Sequence, residues 1–173
     1  IALVQGELRR FIDQDPALEA QAKALSQKLA TNLYHDLGWQ EKQGESSADT
    51  KLRALILGMM IYSEHKEATK EALDRYAAWA AGDEKSVPSE LRALVLSVPV
   101  RTGDTQAFAS LIEKHDATSN SDLKGDLCDA LTSTKNSEQA SVLLGRLKEK
   151  KLVKPQDVDR WLVSLMRNRY TRD

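Results

Sequence analysis

The 173 residues carry 25 Lys plus Arg against 26 Asp plus Glu, a single Cys, 41% hydrophobic and 5% aromatic residues, the balance of one globular domain or a piece of one. A net charge of −1 supplies no overall field for nucleic acid or an anionic membrane, and this apolar content excludes wholesale disorder. Cys128 alone closes no internal disulfide, so the core must hold the fold, and the composition points to a reducing, cytoplasmic compartment.

Leu and Ala supply 44 residues and Val and Ile only 14, which predicts an all-α chain, because β-branched residues are what pleated sheet prefers. Glu7 to Asp13 reads as a short first helix. Asp15 and Pro16 then restart the chain as N-cap and first helical residue, where the missing proline N–H costs nothing. Leu18, Ala22, Leu25, Leu29 and Leu33 step by four, three, four and four, predicting one apolar stripe along about four turns that Gly38 ends. A polar stretch from Gln40 to Ser47 reads as a linker, dividing an N-terminal hairpin region (1–46) from the remainder (47–173) within one overall domain. The next helix places Leu52, Leu55, Ile56 and Met59 on one face. Ala54 to Tyr62 is the longest mostly apolar run, about half of the roughly 20 residues a membrane span needs. No membrane span is expected, and no export signal opens the chain at Ile1.

From Ser47 onward the helices arrive in pairs. Leu52-Arg53-Ala54-Leu55 recurs as Leu91-Arg92-Ala93-Leu94 at an offset of 39. Leu123, Leu127 and Leu131 recur as Val158, Leu162 and Met166 at 35. Leu73, Tyr76 and Ala77 map onto Phe108, Leu111 and Ile112, and Phe108 and Ile112 onto Leu143 and Leu147, again at 35. Gly82 and Gly103 fit helix ends, Asp104 and Asn136 fit N-caps, and Pro88 and Pro155 fit first turns. Two amphipathic helices per period of 35 to 39 predict an α-solenoid, a right-handed superhelix of paired antiparallel helices of HEAT or armadillo type, about eight helices in all. A helical bundle with short loops is the alternative that shares this hairpin-length self-similarity.

The chemistry in the sequence is sparse. His35, His65 and His115 lie far apart, each near a helix end, in no spacing that sets two metal ligands on one helical face, and they read as solvated residues favoured by a helix C-terminus. The eight glycines are scattered singly and form no phosphate loop. Cys128, among Leu127, Ala130 and Leu131, reads as a small buried hydrophobe. Asp126 and Asp129 read as solvated residues rather than a carboxylate dyad, and Trp39, Trp79 and Trp161 as packing anchors between repeats. No catalytic residue and no metal ligand is therefore assigned. Charge is uneven along the chain: residues 146–173 hold nine Lys or Arg and four acids, net +5, leaving net −6 on the rest. Such an end suits a carboxylate, a phosphate, or a complementary surface within a larger protein. No aromatic series is interleaved with these cations, which argues against nucleic acid.

Several short words combine into a resemblance: Tyr34-His35-Asp36-Leu37-Gly38-Trp39; Leu52-Arg53; Trp79 ahead of Val87-Pro88-Ser89-Glu90-Leu91-Arg92; the stretch from Ser121 to Leu131; and Pro155-Gln156-Asp157 leading to Asn168-Arg169-Tyr170. In this order and spacing the chain resembles the C-terminal helical domain of the aminopeptidase N family of zinc metallopeptidases, in the branch with the endoplasmic-reticulum and insulin-regulated enzymes. Tyr170-Thr171 departs from it, standing where the family commonly has a Gly. The resemblance implies a part of a peptidase that is not itself catalytic. The zinc motif His-Glu-x-x-His and the substrate N-terminus motif Gly-Ala-Met-Glu-Asn belong to a separate upstream domain and do not occur here. It further implies that this domain packs over the catalytic domain of the same polypeptide, encloses the substrate chamber and influences which peptides enter. Arg167, Arg169 and Arg172 are the residues expected near a peptide carboxylate. The competing reading is a stand-alone HEAT-like scaffold for protein–protein interaction.

Overall fold

In the computed structural model, residues 12, 15–147, 153 and 157–171 are described, and the predicted first helix at Glu7 to Asp13, Ile12 apart, and the first-turn Pro155 lie outside them. Among the described residues there are eight α-helices and no strand. The all-α reading from composition holds. Packing divides the chain into two compact units, Ile1–Leu91 and Arg92–Asp173.

In the first unit, α1 (Pro16–Leu37) begins where the sequence placed it. The Asp15 carboxylate accepts from the N–H groups of Ala17 (2.9 Å) and Leu18 (3.0 Å), donors that would otherwise be orphaned, and Pro16 occupies the first turn. Gly38 closes the helix with φ +58°, its N–H donating to Tyr34 O at 2.9 Å. Helix α2 (Ser47–Tyr62) starts with a reciprocal cap: Asp49 N–H donates to Ser46 Oγ, and Ser46 N–H donates to Asp49 Oδ2 at 3.0 Å. Two cross-links fix the sense of the pair. Arg53, near the start of α2, reaches Leu37 O at the end of α1, while Lys23, near the start of α1, meets Glu64 beyond the end of α2 at 2.8 Å. The two helices therefore run antiparallel.

The core between them consists of Ala30, Ile56, Met59, Met60 and, from α3 (Lys66–Ala80), Ala68, with Tyr34, Leu37 and Leu52 packed against it. The segment 38–46 lies inside this unit as a tied connection: Glu45 pairs with Arg53, and Thr50 Oγ1 donates to Glu41 at 2.9 Å. Helix α3 packs on α2 and on the 3-10 turn Glu84–Ser86.

Two expectations about apolar faces need correction. The side of α1 turned toward α2 is Ser26 and Ala30, with Tyr34 and Leu37, while the predicted stripe is largely out in solvent: Leu18 is 43%, Leu25 52%, Leu29 40% and Leu33 38% exposed. Small residues let the backbones of α1 and α2 approach, which puts the bulky leucines on the flank. On α2, Leu55 is likewise exposed while Leu52, Ile56 and Met59 face the core.

Helix α4 (Ser89–Thr102) straddles the division between the units and buries Val95, Leu96, Val98 and Val100. The second unit continues with α5 (Thr105–Ala117), α6 (Ser121–Leu131), α7 (Ser137–Leu147) and α8 (Val158–Arg167). Asp104 caps α5 through Ala107 N–H (2.8 Å), and Asn136 caps α7 through Glu138 N–H (2.7 Å), both as expected. Helix α5 packs on α6, and α8 on both α6 and α7. Phe108, Leu111, Leu123, Leu127, Leu131 and Leu143 are buried. The last repeat copy is out of register by one residue: Trp161 and Leu165 are buried, whereas Leu162 is exposed and Met166 is 72% exposed. A large indole at position 161 wins the inward place and rotates the helix accordingly.

Candidate functional site: the basic end of the second unit

Arg167 ends α8 and is exposed to solvent. Arg169 follows in the turn; its guanidinium lies 4.6 Å from the centroid of the Tyr170 ring and donates to Tyr170 Oη at 2.6 Å. Lys135 approaches the same ring at 5.3 Å, a cation–π neighbour that spacing alone gave no means of finding. Arg172 lies outside the described residues. Asn168 holds the turn in place. Its Nδ2 donates to Thr132 O (2.9 Å) and Thr134 O (2.6 Å) just after α6, and its Oδ1 accepts from Tyr170 N–H at 3.1 Å. The sequence marked Asn168 only as part of a word, and its work is to supply donors to the open end of α6.

Two other cations of the basic run, Arg146 and Arg160, are already engaged. Arg146 pairs with Asp116 at 2.5 Å, and Arg160 pairs with Asp129 through two bonds, Nη2 to Oδ2 at 2.7 Å and Nε to Oδ1 at 3.3 Å. Arg92 meets Asp126 at 2.6 Å. Asp126 and Asp129 thus form no dyad, as expected, but they are ion-pair partners rather than merely solvated. The Arg160 guanidinium lies close over Gly125, where a Cβ would stand 2.8 Å from its Nη1.

Beside that pair is a cleft of about 360 Å³ whose lining includes His115, Lys124, Arg160, Asp157 and Trp161. His115 corrects the reading of all three histidines as solvated. It is buried in the last turn of α5, edge-on to Trp161 at 5.2 Å, with Nδ1 3.6 Å from Asp116. Burial pushes its pKa below the usual 6.5, opposed by Asp116 and reinforced by the positive charges of Lys124 and Arg146. His65 sits at the N-terminus of α3, where Nδ1 accepts from Ala68 N–H, and His35 remains exposed in the last turn of α1. Burial raises the Cys128 thiol to about 12, with Asp129 adding to the shift, so the thiol stays protonated and inert as expected. All three tryptophans are buried, Trp39 beneath Arg75 at 5.2 Å. Among the described residues, no group of three or more His, Cys, Asp or Glu is placed to hold a metal ion, and no helix is long and apolar enough to cross a membrane.

Among the described residues, the polar chemistry of this all-helical chain consists of ion pairs, helix caps and a cationic turn after α8. The family model for the ERAP1-like C-terminal domain matches residues 4–173, and the chain belongs to that family. It is 31% identical over 168 residues to the Aminopeptidase N of Lactococcus lactis subsp. cremoris (strain MG1363), covering 96% of this chain and 20% of that protein. The Aminopeptidase N of Lactobacillus helveticus is 28% identical over 165 residues, with 95% and 19% covered. "Aminopeptidase 2, mitochondrial" of Saccharomyces cerevisiae is 22% identical over 130 residues, with 74% and 12% covered. The chain spans about a fifth of the length of the first two of these curated relatives.

Proposed function

We propose that this chain is the C-terminal helical domain of a zinc metallo-aminopeptidase, where it packs over the catalytic domain of the same polypeptide, encloses the substrate chamber and shapes peptide access and length preference. The observation that carries this reading is the family match over nearly the whole chain together with relatives named as aminopeptidases that are about five times longer. No catalysis is assigned to the chain itself, and the zinc is assigned to the rest of the parent. The scattered positions of His35, His65 and His115 agree with that division. Stacking of the helix pairs into a superhelix belongs to the same proposal, since each pair alone leaves apolar surface wet. The cytoplasm is the compartment proposed, supported by the lone buried thiol.

Arg167 and Arg169, with Arg172, are the proposed contacts for the far carboxylate of a longer peptide. Their support is an exposed guanidinium on Arg167 and a turn clamped by Asn168. Hydrogen bonds to a charged group contribute roughly 1.5–3 kcal/mol. In the parent enzyme, replacing the three arginines by Gln should therefore lower kcat/KM for long peptides by about tenfold or more and leave dipeptides unaffected. Amidating the C-terminus of the long peptides should have the same effect on the unaltered enzyme. An unchanged length profile rejects the carboxylate contact; a parent gene without His-Glu-x-x-His rejects the peptidase reading and favours the free-standing scaffold.

A further inference from the structure

Among the described residues, α1 carries an exposed row of leucines. Leu25, Leu29 and Leu33 stand at successive four-residue steps and Leu18 extends the row toward the helix start, all of them exposed. At 100° per residue this row lies roughly 90–100° around the helix from the Ser26–Ala30 row that meets α2. The helix thus has two apolar faces and only one of them is covered by α2. A row of side chains spaced by four is the ridge that inserts into the groove of another α-helix. Four leucines in one row also differ from the singly scattered apolar residues of an ordinary surface. The residues along one edge are Gln21, Lys28 and Asn32, a nearly neutral border. It lacks the basic polar face by which an amphipathic helix binds an anionic lipid surface.

We propose that the Leu18–Leu25–Leu29–Leu33 ridge is covered by an α-helix of the same parent polypeptide, lying in the part outside this chain and presenting an apolar groove. The length of the relatives supplies the occupant: about four fifths of each lies beyond the matched region. This deepens the reading given above, on whose longer parent chain it rests, by naming the surface that joins the two parts.

The test places a photo-crosslinking benzoylphenylalanine at position 29, and separately at position 25, in the full parent enzyme, with position 24 as the control. Ala24 is exposed on the other side of the same helix. After irradiation and peptide mapping, positions 29 and 25 should link within one polypeptide to a peptide outside this chain, several-fold more than position 24 does. A link to a second copy, a link to a peptide within this chain, or no excess over position 24 overturns the proposal. Aminopeptidase activity and zinc content measured on the same preparation keep the two readings apart. An active zinc enzyme without the crosslink defeats only the ridge, and a crosslinked protein without activity or zinc defeats only the peptidase reading.

Discussion

His115 illustrates how burial turns an ordinary side chain into a pH-dependent one. Its folded pKa lies below the unfolded value, so the unfolded chain takes up the proton first as the solution is acidified. Its stabilising contribution is complete above about pH 6.5 and is lost as pH falls below that value. Urea midpoints measured at pH 7.5 and 5.5 should drop less for His115→Gln than for the native protein; equal drops contradict the assignment. Arg53 and Glu45 make a second argument at this scale, as a nearly buried ion pair with the Leu37 carbonyl also served by Arg53. Removing only one charge strands the other, so Arg53→Met should cost about 3–5 kcal/mol. Adding Glu45→Gln should recover part of that loss in a double-mutant cycle. The sequence pointed to both arginines of the repeated Leu-Arg-Ala-Leu word, but it gave no sign that each would find an acid, Glu45 for Arg53 and Asp126 for Arg92. Those partners stand 8 and 34 residues away in the chain, and only the packed helices bring them together.

At the scale of elements, the starts and stops were the most legible part of the fold. Asp15, Asp104 and Asn136 act locally on N–H groups two or three residues ahead, so their effect is written in adjacent sequence, whereas Ser46, read as part of a linker, turned out to cap α2. Faces were less legible, because a helical period states that an apolar row exists and not which neighbour covers it. On α1 the small residues won the contact with α2, and on α8 Trp161 displaced the predicted Leu162 row. The register of α8 has a direct check. Leu165→Ala should lower stability by about 2–5 kcal/mol, while Met166→Ala should stay within about 0.5 kcal/mol of the native protein, both read from chemical denaturation. The reverse order would restore the register read from the repeat. The proposed site followed the same pattern: Arg167 and Arg169 stand out in the sequence as cations, whereas Lys135 and Asn168 depend on contacts between the end of α6 and the turn after α8.

Taken as a whole, the molecule has a net charge of −1 that resolves into an acidic body and a basic end, and part of that end is already neutralised by Asp116 and Asp129. If the domain acts on peptide access rather than on bond cleavage, deleting it from the parent should leave a zinc-loaded protein with altered length preference. Comparing peptides of two and ten residues, with zinc measured by metal analysis, reads both consequences. Loss of the metal on deletion would instead place part of the zinc site in this chain. The clasp made by Asn168 has another consequence. Its two carbonyl partners are 36 and 34 residues earlier in the chain, so the end of α6 is finished by a residue that arrives late in synthesis. Fraying there is no longer a local event. It requires the turn after α8 to detach, which ties the opening of two distant segments into one cooperative step and makes full closure of the end of α6 wait until residue 168 has been synthesised.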